Sequence, residues 1–332
     1  MLHDFVRRPT PLYLAGAITR SLGGATLYFK REDLSEAGGN LINAALGQCL
    51  LAQRMGFRHV IADTGSGHNG VALAATAAKL ALRCTVFMAE ADARQHGSLV
   101  ARMRALDAGV SIVDGAGNAL HEAVSAAMRY WMANSESVFY VAGAPVGPHP
   151  YPMLIREFQS VIGREVRAQL AGNEGRLPTA LVAATGGGSA AIGLFSAFAG
   201  EPSIRLIAVE AGGTSSQPGF HAAKLTLGRP GILHGAKTSV LQDADGQILP
   251  THSVAAGLKY PGIAPELAWM HRSGRLESWV VRDHQAIDAR RVVEEHEGLR
   301  PSLESCHALS AGMQLARLSP SEAIVIVPVM GG

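Results

Sequence analysis

TALVAATGGGSAA, residues 179 to 191, sets three glycines and a serine between a short β-branched apolar run and an Ala-rich helical run. Glycines let a chain turn tightly with its N–H groups outward, and a helix N-terminus adds partial positive charge. Gly186, Gly187, Gly188, Ser189 and Ala190 therefore read as a phosphate-binding loop, with a plain glycine turn as the alternative. A strand, tight loop and helix in that order is the repeating unit of a parallel sheet covered by helices, so the expected class is α/β. The same alternation places strands near Thr26–Lys30, His59–Asp63, Arg83–Met88, Val110–Val113 and Val138–Val141, then at 204–211 and 323–329. The Gly-, Pro- and His-rich stretch from Ala211 to Pro265 reads as irregular connection near a site.

A second loop of the same design, DTGSGHNG (63–70), follows the strand that starts at His59. Thr64, Gly65, Ser66, Gly67, His68 and Asn69 offer hydroxyls and backbone amides for a smaller anion such as an amino acid carboxylate. Asp63 stands at the strand's carboxyl end, where open α/β sheets bind ligands; a helix-capping aspartate is the alternative. His149, between prolines in GPHPYP (147–152), is a possible ligand contact, although a structural hydrogen bond is the commoner role. His68, Glu304 and His307 are further cleft candidates, and Glu294 with Glu295 reads as a solvated helix face.

The whole chain, 332 residues with 29 basic and 27 acidic side chains, has room for two domains and carries no field that would draw in nucleic acid or an anionic membrane. Cys49, Cys84 and Cys306 are too scattered for a disulfide framework or a thiolate metal site, and no metal-ligand spacing stands out. The N-terminus lacks a signal-peptide layout and no apolar run would span a bilayer. A cytoplasmic protein acting on small molecules is expected.

RPTPLY (8–13), YFKREDL (28–34), INAALGQ (42–48), GPHPYP, FQSVIGRE (158–165), EGRLP (174–178), GGGS (186–189), ADGQI (244–248), AGLKYPGIAPE (256–266) and EGLRPSLES (297–305) together resemble the tryptophan synthase β subunit family, of the second fold type of pyridoxal-phosphate enzymes. The resemblance runs in order over nearly the whole chain. It implies two three-layer α/β domains: residues 40–158 with the carboxylate loop, and 7–39 plus 159–332 with the phosphate loop. It also implies a homodimer, and assigns the cofactor phosphate to Gly186–Ser189 and the substrate carboxylate to Thr64–Asn69. In the family the acid before the carboxylate loop is a glutamate that shuttles a proton near the indole nitrogen; here it is Asp63.

Three positions depart from the family pattern. Where the family has a His-Lys pair whose lysine forms the Schiff base, this chain has Asn40-Leu41, and none of its five lysines stands there. Met330 replaces the serine that meets the pyridine nitrogen, and Lys259 replaces an aspartate that helps close the site. The family's N-terminal extension and C-terminal tail have no counterpart, so an α-subunit partner is not expected. These departures lead to the expectation of no pyridoxal-phosphate cofactor. The phosphate loop would instead hold a phosphorylated aldehyde substrate, and the carboxylate loop a tryptophan-like amino acid whose own amine attacks it. Closure on the indole would give a tetrahydro-β-carboline, a Pictet–Spengler reaction of specialised metabolism, with Asp63 as shuttle and His68, Glu304, His149 and Lys259 as assistants. The alternatives are pyridoxal phosphate bound without a lysine, already condensed with an amino acid, in a β-replacement enzyme, and a non-catalytic ligand-binding protein.

Overall fold

The computed structural model describes residues 1–114 and 119–331. Its strands are β1 (Leu12–Leu14), β2 (Thr26–Arg31), β3 (His59–Thr64), β4 (Arg83–Ala89), β5 (Gly109–Val113), β6 (Val138–Tyr140), β7 (Ala180–Ala184), β8 (Arg205–Gly213), β9 (Arg229–Leu233), β10 (Ala236–Val240), β11 (Glu277–Arg282) and β12 (Ile324–Val329). They form a six-stranded sheet in the order β1-β2-β12-β7-β8-β11, a four-stranded sheet in the order β5-β4-β3-β6, and the hairpin β9-β10. Apart from β1, which runs antiparallel to β2 at one edge, the neighbours in both larger sheets are parallel. The result is a two-domain α/β fold.

Parallel strands need crossover connections, and the crossover helices cover both sheet faces. That burial explains the uninterrupted apolar runs: every residue of β12, IVIVPV, is buried, as is most of β3 and β7. Helices Leu41–Arg54 and His68–Lys79 bury Ile42, Leu46, Val71 and Leu73 against the four-stranded sheet. Helix Leu303–Leu318 does the same for the six-stranded sheet through Leu309 and Leu315. No helix among the described residues is long and apolar enough to cross a membrane.

One local expectation gives way. The stretch from Ala211 to Pro265 contains an ordered hairpin, β9 paired with β10 from Leu233↔Ala236 to Arg229↔Val240. Its two turn residues, His234 and Gly235, both have positive φ (47° and 79°), as a type I′ turn requires. Pro230 and Gly231 hide the strand's alternation in the sequence. After the Pro-rich turn, helix Tyr151–Gln159 is followed by a separate helix, Val161–Glu174, with Ser160 between them.

A buried ionic group fastens the N-terminal segment to both domains. Arg8 donates through Nε to Asn43 (2.7 Å) and through Nη1 to Glu165 (2.7 Å), and its other nitrogen pairs with Glu32. Lys30 reaches the same Glu165 carboxylate at 2.7 Å and Gln169 at 3.0 Å. Lys30 is thus fully engaged away from any ligand.

Candidate active site

The carboxyl ends of β3 and β7 face one cleft between the two sheets, the position at which open α/β sheets take ligands. Both expected anion loops line it. On one side are Thr64, Gly65, Ser66, His68 and Asn69; on the other are Gly186, Gly187, Gly188, Ser189 and Ala190. The first loop is tied internally: the Gly67 amide donates to Thr64 Oγ1 (3.1 Å), Ser66 Oγ meets His68 Nδ1 (3.0 Å), and Asn69 donates to the Asp63 carbonyl (2.7 Å). In the second loop a Cβ on Gly186 would overlap the Gly257 carbonyl oxygen, and Gly188 has φ +101°, so neither position accepts a side chain. Asn40 joins the two sides by donating to Ser189 Oγ at 3.4 Å.

Asp63 lies between the loops, buried, with its Oδ1 accepting a 2.5 Å hydrogen bond from Tyr140. Burial pushes its carboxyl above the ordinary carboxylate range, and the Tyr140 bond only partly offsets that. A carboxyl raised in this way holds a proton more readily than a free one, which suits it to proton transfer in the cleft. Around it stand Leu120, Val124, Met128, Trp131, Tyr140 and Tyr151, an apolar and aromatic wall of a size and chemistry suited to a flat ring.

The structure brings Asn40, Leu41, Glu304 and Met330 to the same cleft. Glu304 Oε1 accepts from the Gly257 amide at 2.9 Å. Four expected contacts are corrected. His149 is exposed on the outer side of its turn, because flanking prolines fix the chain's course but not the direction of the ring. Gly67 is tucked behind its loop against Leu99, and Lys259, half-buried, is not among the residues that line the cleft. His307 is wholly buried, its Nδ1 bonded to the Leu303 carbonyl (2.8 Å), and is likewise outside the cleft.

Tyr140, Tyr260, His234 and Ser305 were not singled out in the sequence, yet all four line the cleft. Only distance in the sequence concealed them. Ser305 Oγ stands beside Met330, accepting from its amide at 2.8 Å.

Known proteins share this arrangement of sheets. A family model described as pyridoxal-phosphate dependent enzyme matches residues 4–330. The chain belongs to that family. Among solved structures, a fungal L-serine ammonia-lyase from Rhizomucor miehei superposes with a TM-score of 0.75 at 20% identity, over 97% of this chain and 93% of that one. A threonine deaminase from T.th. gives a TM-score of 0.73 at 22% identity, over 99% of this chain and 95% of that one. At those identities the likeness is one of fold.

Family membership overturns the expectation that no cofactor is used: the group to which the family points is pyridoxal phosphate. The cleft accommodates it. Gly186–Ala190 would hold its phosphate, and the hydroxyl of Ser305 stands beside Met330 on the cleft wall. Among the described residues, none of the five lysines lines the cleft. Lys30 is held by Glu165, and Lys224 is buried behind the phosphate loop, donating to the Thr185 carbonyl.

Proposed function

We propose that the protein joins a tryptophan-type amino acid to a phosphorylated aldehyde, forming carbon–nitrogen and then carbon–carbon bonds, as a lyase or synthase of the pyridoxal-phosphate dependent family. One observation carries this reading: a carboxylate loop, a phosphate loop and a buried acid share a single cleft with no lysine among its described lining residues. Pyridoxal phosphate bears both a formyl group and a phosphate ester, so it is the first candidate for the Gly186–Ala190 seat. When bound it supplies an aldehyde that condenses with amines and a ring that draws electrons.

The chain's own residues then have definite tasks. Thr64–Asn69 hold the amino acid by its carboxylate and the apolar wall around Trp131 orients its side chain, so that its amine faces the aldehyde seat. Holding both reactants replaces a bimolecular encounter by a local one, with about 7–11 kcal/mol of the barrier available from that source. Asp63 gives a proton to the departing hydroxyl and later takes the ring proton as an indole carbon closes, yielding a tetrahydro-β-carboline.

The family match favours a second reading, in which pyridoxal phosphate turns over as a recycled cofactor in β-elimination or β-replacement on an amino acid such as serine. Mass spectrometry of incubations separates the two. The protein is given tryptophan with pyridoxal phosphate or an aldose phosphate, and separately serine with pyridoxal phosphate. A product equal to the two reactants less one water supports the condensation. Keto acid and ammonia from serine, with no condensation product, replace it by the second reading.

A further inference from the structure

His234 belongs to two surfaces at once. It lines the cleft, and it also borders an open groove on the outer side with Ser125, Arg129, Met132 and Gly235. Both its ring nitrogens have partners. Nδ1 meets the Tyr260 hydroxyl at 2.7 Å on the cleft side, and Nε2 meets Ser125 Oγ at 3.2 Å on the groove side. The ring is stacked between Tyr260 (centroids 5.8 Å apart) and His121 (5.0 Å). It is carried on a backbone in the left-handed region, φ 47°, which a non-glycine residue adopts at a cost and which recurs at functional positions. Tyr260 and Asp63 line the same cleft without a hydrogen bond between them; burial, and after it the Asp63 charge, holds the Tyr260 phenol well above its ordinary value.

Resting on the reading above, in which Asp63 moves protons, we propose that Tyr260, His234 and Ser125 form a proton path between Asp63 and the outer groove. A phenol is the better donor of the first pair, so Tyr260 donates to Nδ1 and the Nε2–H donates to Ser125 Oγ. One water in the cleft completes the inner end. In an outward passage Asp63 yields its proton through that water to Tyr260, Tyr260 passes its own to Nδ1, and Nε2–H passes outward through Ser125. The amino acid enters as an ammonium whose proton must leave before the amine attacks, and the product amine regains one, so turnover exchanges no net proton with solvent yet needs one passage each way. Each outward passage is therefore matched by an inward one, which restores the starting tautomer. Burial and the neighbouring His121 push the His234 imidazole down to about 4, so the ring stays neutral and conducts by changing tautomer rather than by holding charge.

His234→Gly tests the path directly, because glycine adopts a positive φ without strain and the groove admits small molecules to the vacated space. The expected result is a kcat lower by on the order of 10² with KM unchanged. Added imidazole should restore turnover, with a rate that follows the pKa of a series of methyl-substituted imidazoles. Restoration independent of pKa, or an undiminished kcat, overturns the proposal. Tyr260→Phe should lower kcat likewise. A second arm requires no turnover: ¹⁵N NMR of the His234 ring should change between the natural protein and Asp63→Asn. Unchanged ring-nitrogen shifts overturn the path whatever the protein catalyses. If instead the shifts move while no amino acid and aldehyde pair reacts, the functional reading fails and the path stands.

Discussion

At the scale of single residues, Asp63 concentrates the chemistry because two opposing influences meet on one carboxyl. Burial disfavours its charge, and the Tyr140 hydroxyl favours it, with burial the larger. A carboxyl raised in the fold binds a proton more tightly there than in the unfolded chain. Its contribution to stability is therefore fully present below the ordinary carboxylate value and is lost as pH rises through the raised folded value. Asp63→Asn is expected to lower turnover by about 10² to 10⁴ while the thermal stabilisation given by tryptophan persists. Across the same pH window, melting curves should show the natural protein losing stability relative to the variant. A rate unchanged by the substitution would remove Asp63 from the proton steps. Asp63 was legible in the sequence from its place at the end of a strand and before a glycine loop. Its partner was not, since the Tyr140 hydroxyl reaches it only once β6 lies beside β3.

At the scale of elements, strands read from continuous apolar runs fall where expected because burial on both faces leaves no room for polar residues, as in β3, β7 and β12. The hairpin was missed because Arg229, Pro230 and Gly231 carry no alternation, while its pairing is set by the turn at His234-Gly235. The first turn of helix Leu41–Arg54 presents Leu41 to the cleft between Asn40 and the phosphate loop. That placement has a direct consequence: Leu41→Lys puts an amine within the lined space without disturbing the fully buried face at Ile42 and Cys49. With pyridoxal phosphate the variant should turn yellow, and borohydride should fix the label on the peptide containing position 41. A label found only elsewhere would show that the helix does not aim this side chain at the aldehyde seat.

At the scale of the whole molecule, the two anion loops come from different sheets, one after β3 and the other after β7, and only Asn40 and the cleft walls join them. A ligand pair that fills both loops binds the folded, closed arrangement and not the unfolded chain. Each ligand at 100 times its Kd should add about 2.7 kcal/mol to unfolding free energy. Tryptophan and a phosphorylated aldehyde given together should raise the melting temperature at least as much as the two separate increments combined; a smaller combined rise would mean that they compete for one seat. We propose that the domain division at 40–158 and 7–39 plus 159–332 marks the two bodies that such ligands bridge. The cofactor was the part least legible in the sequence, because the departures at 41, 259 and 330 were taken together as its loss, whereas the family match over residues 4–330 points to it. Ser305, which supplies a hydroxyl near Met330, comes from a helix about two dozen positions earlier.

The glycine cradle is set by its own surroundings. A methyl group at Gly186 would run into the main chain at Gly257, and one at Gly187 into Ala144, with or without any occupant. The hollow is therefore a requirement of folding itself, and the side chains at positions 41, 63 and 330, which can change without touching that requirement, are left to decide its occupant.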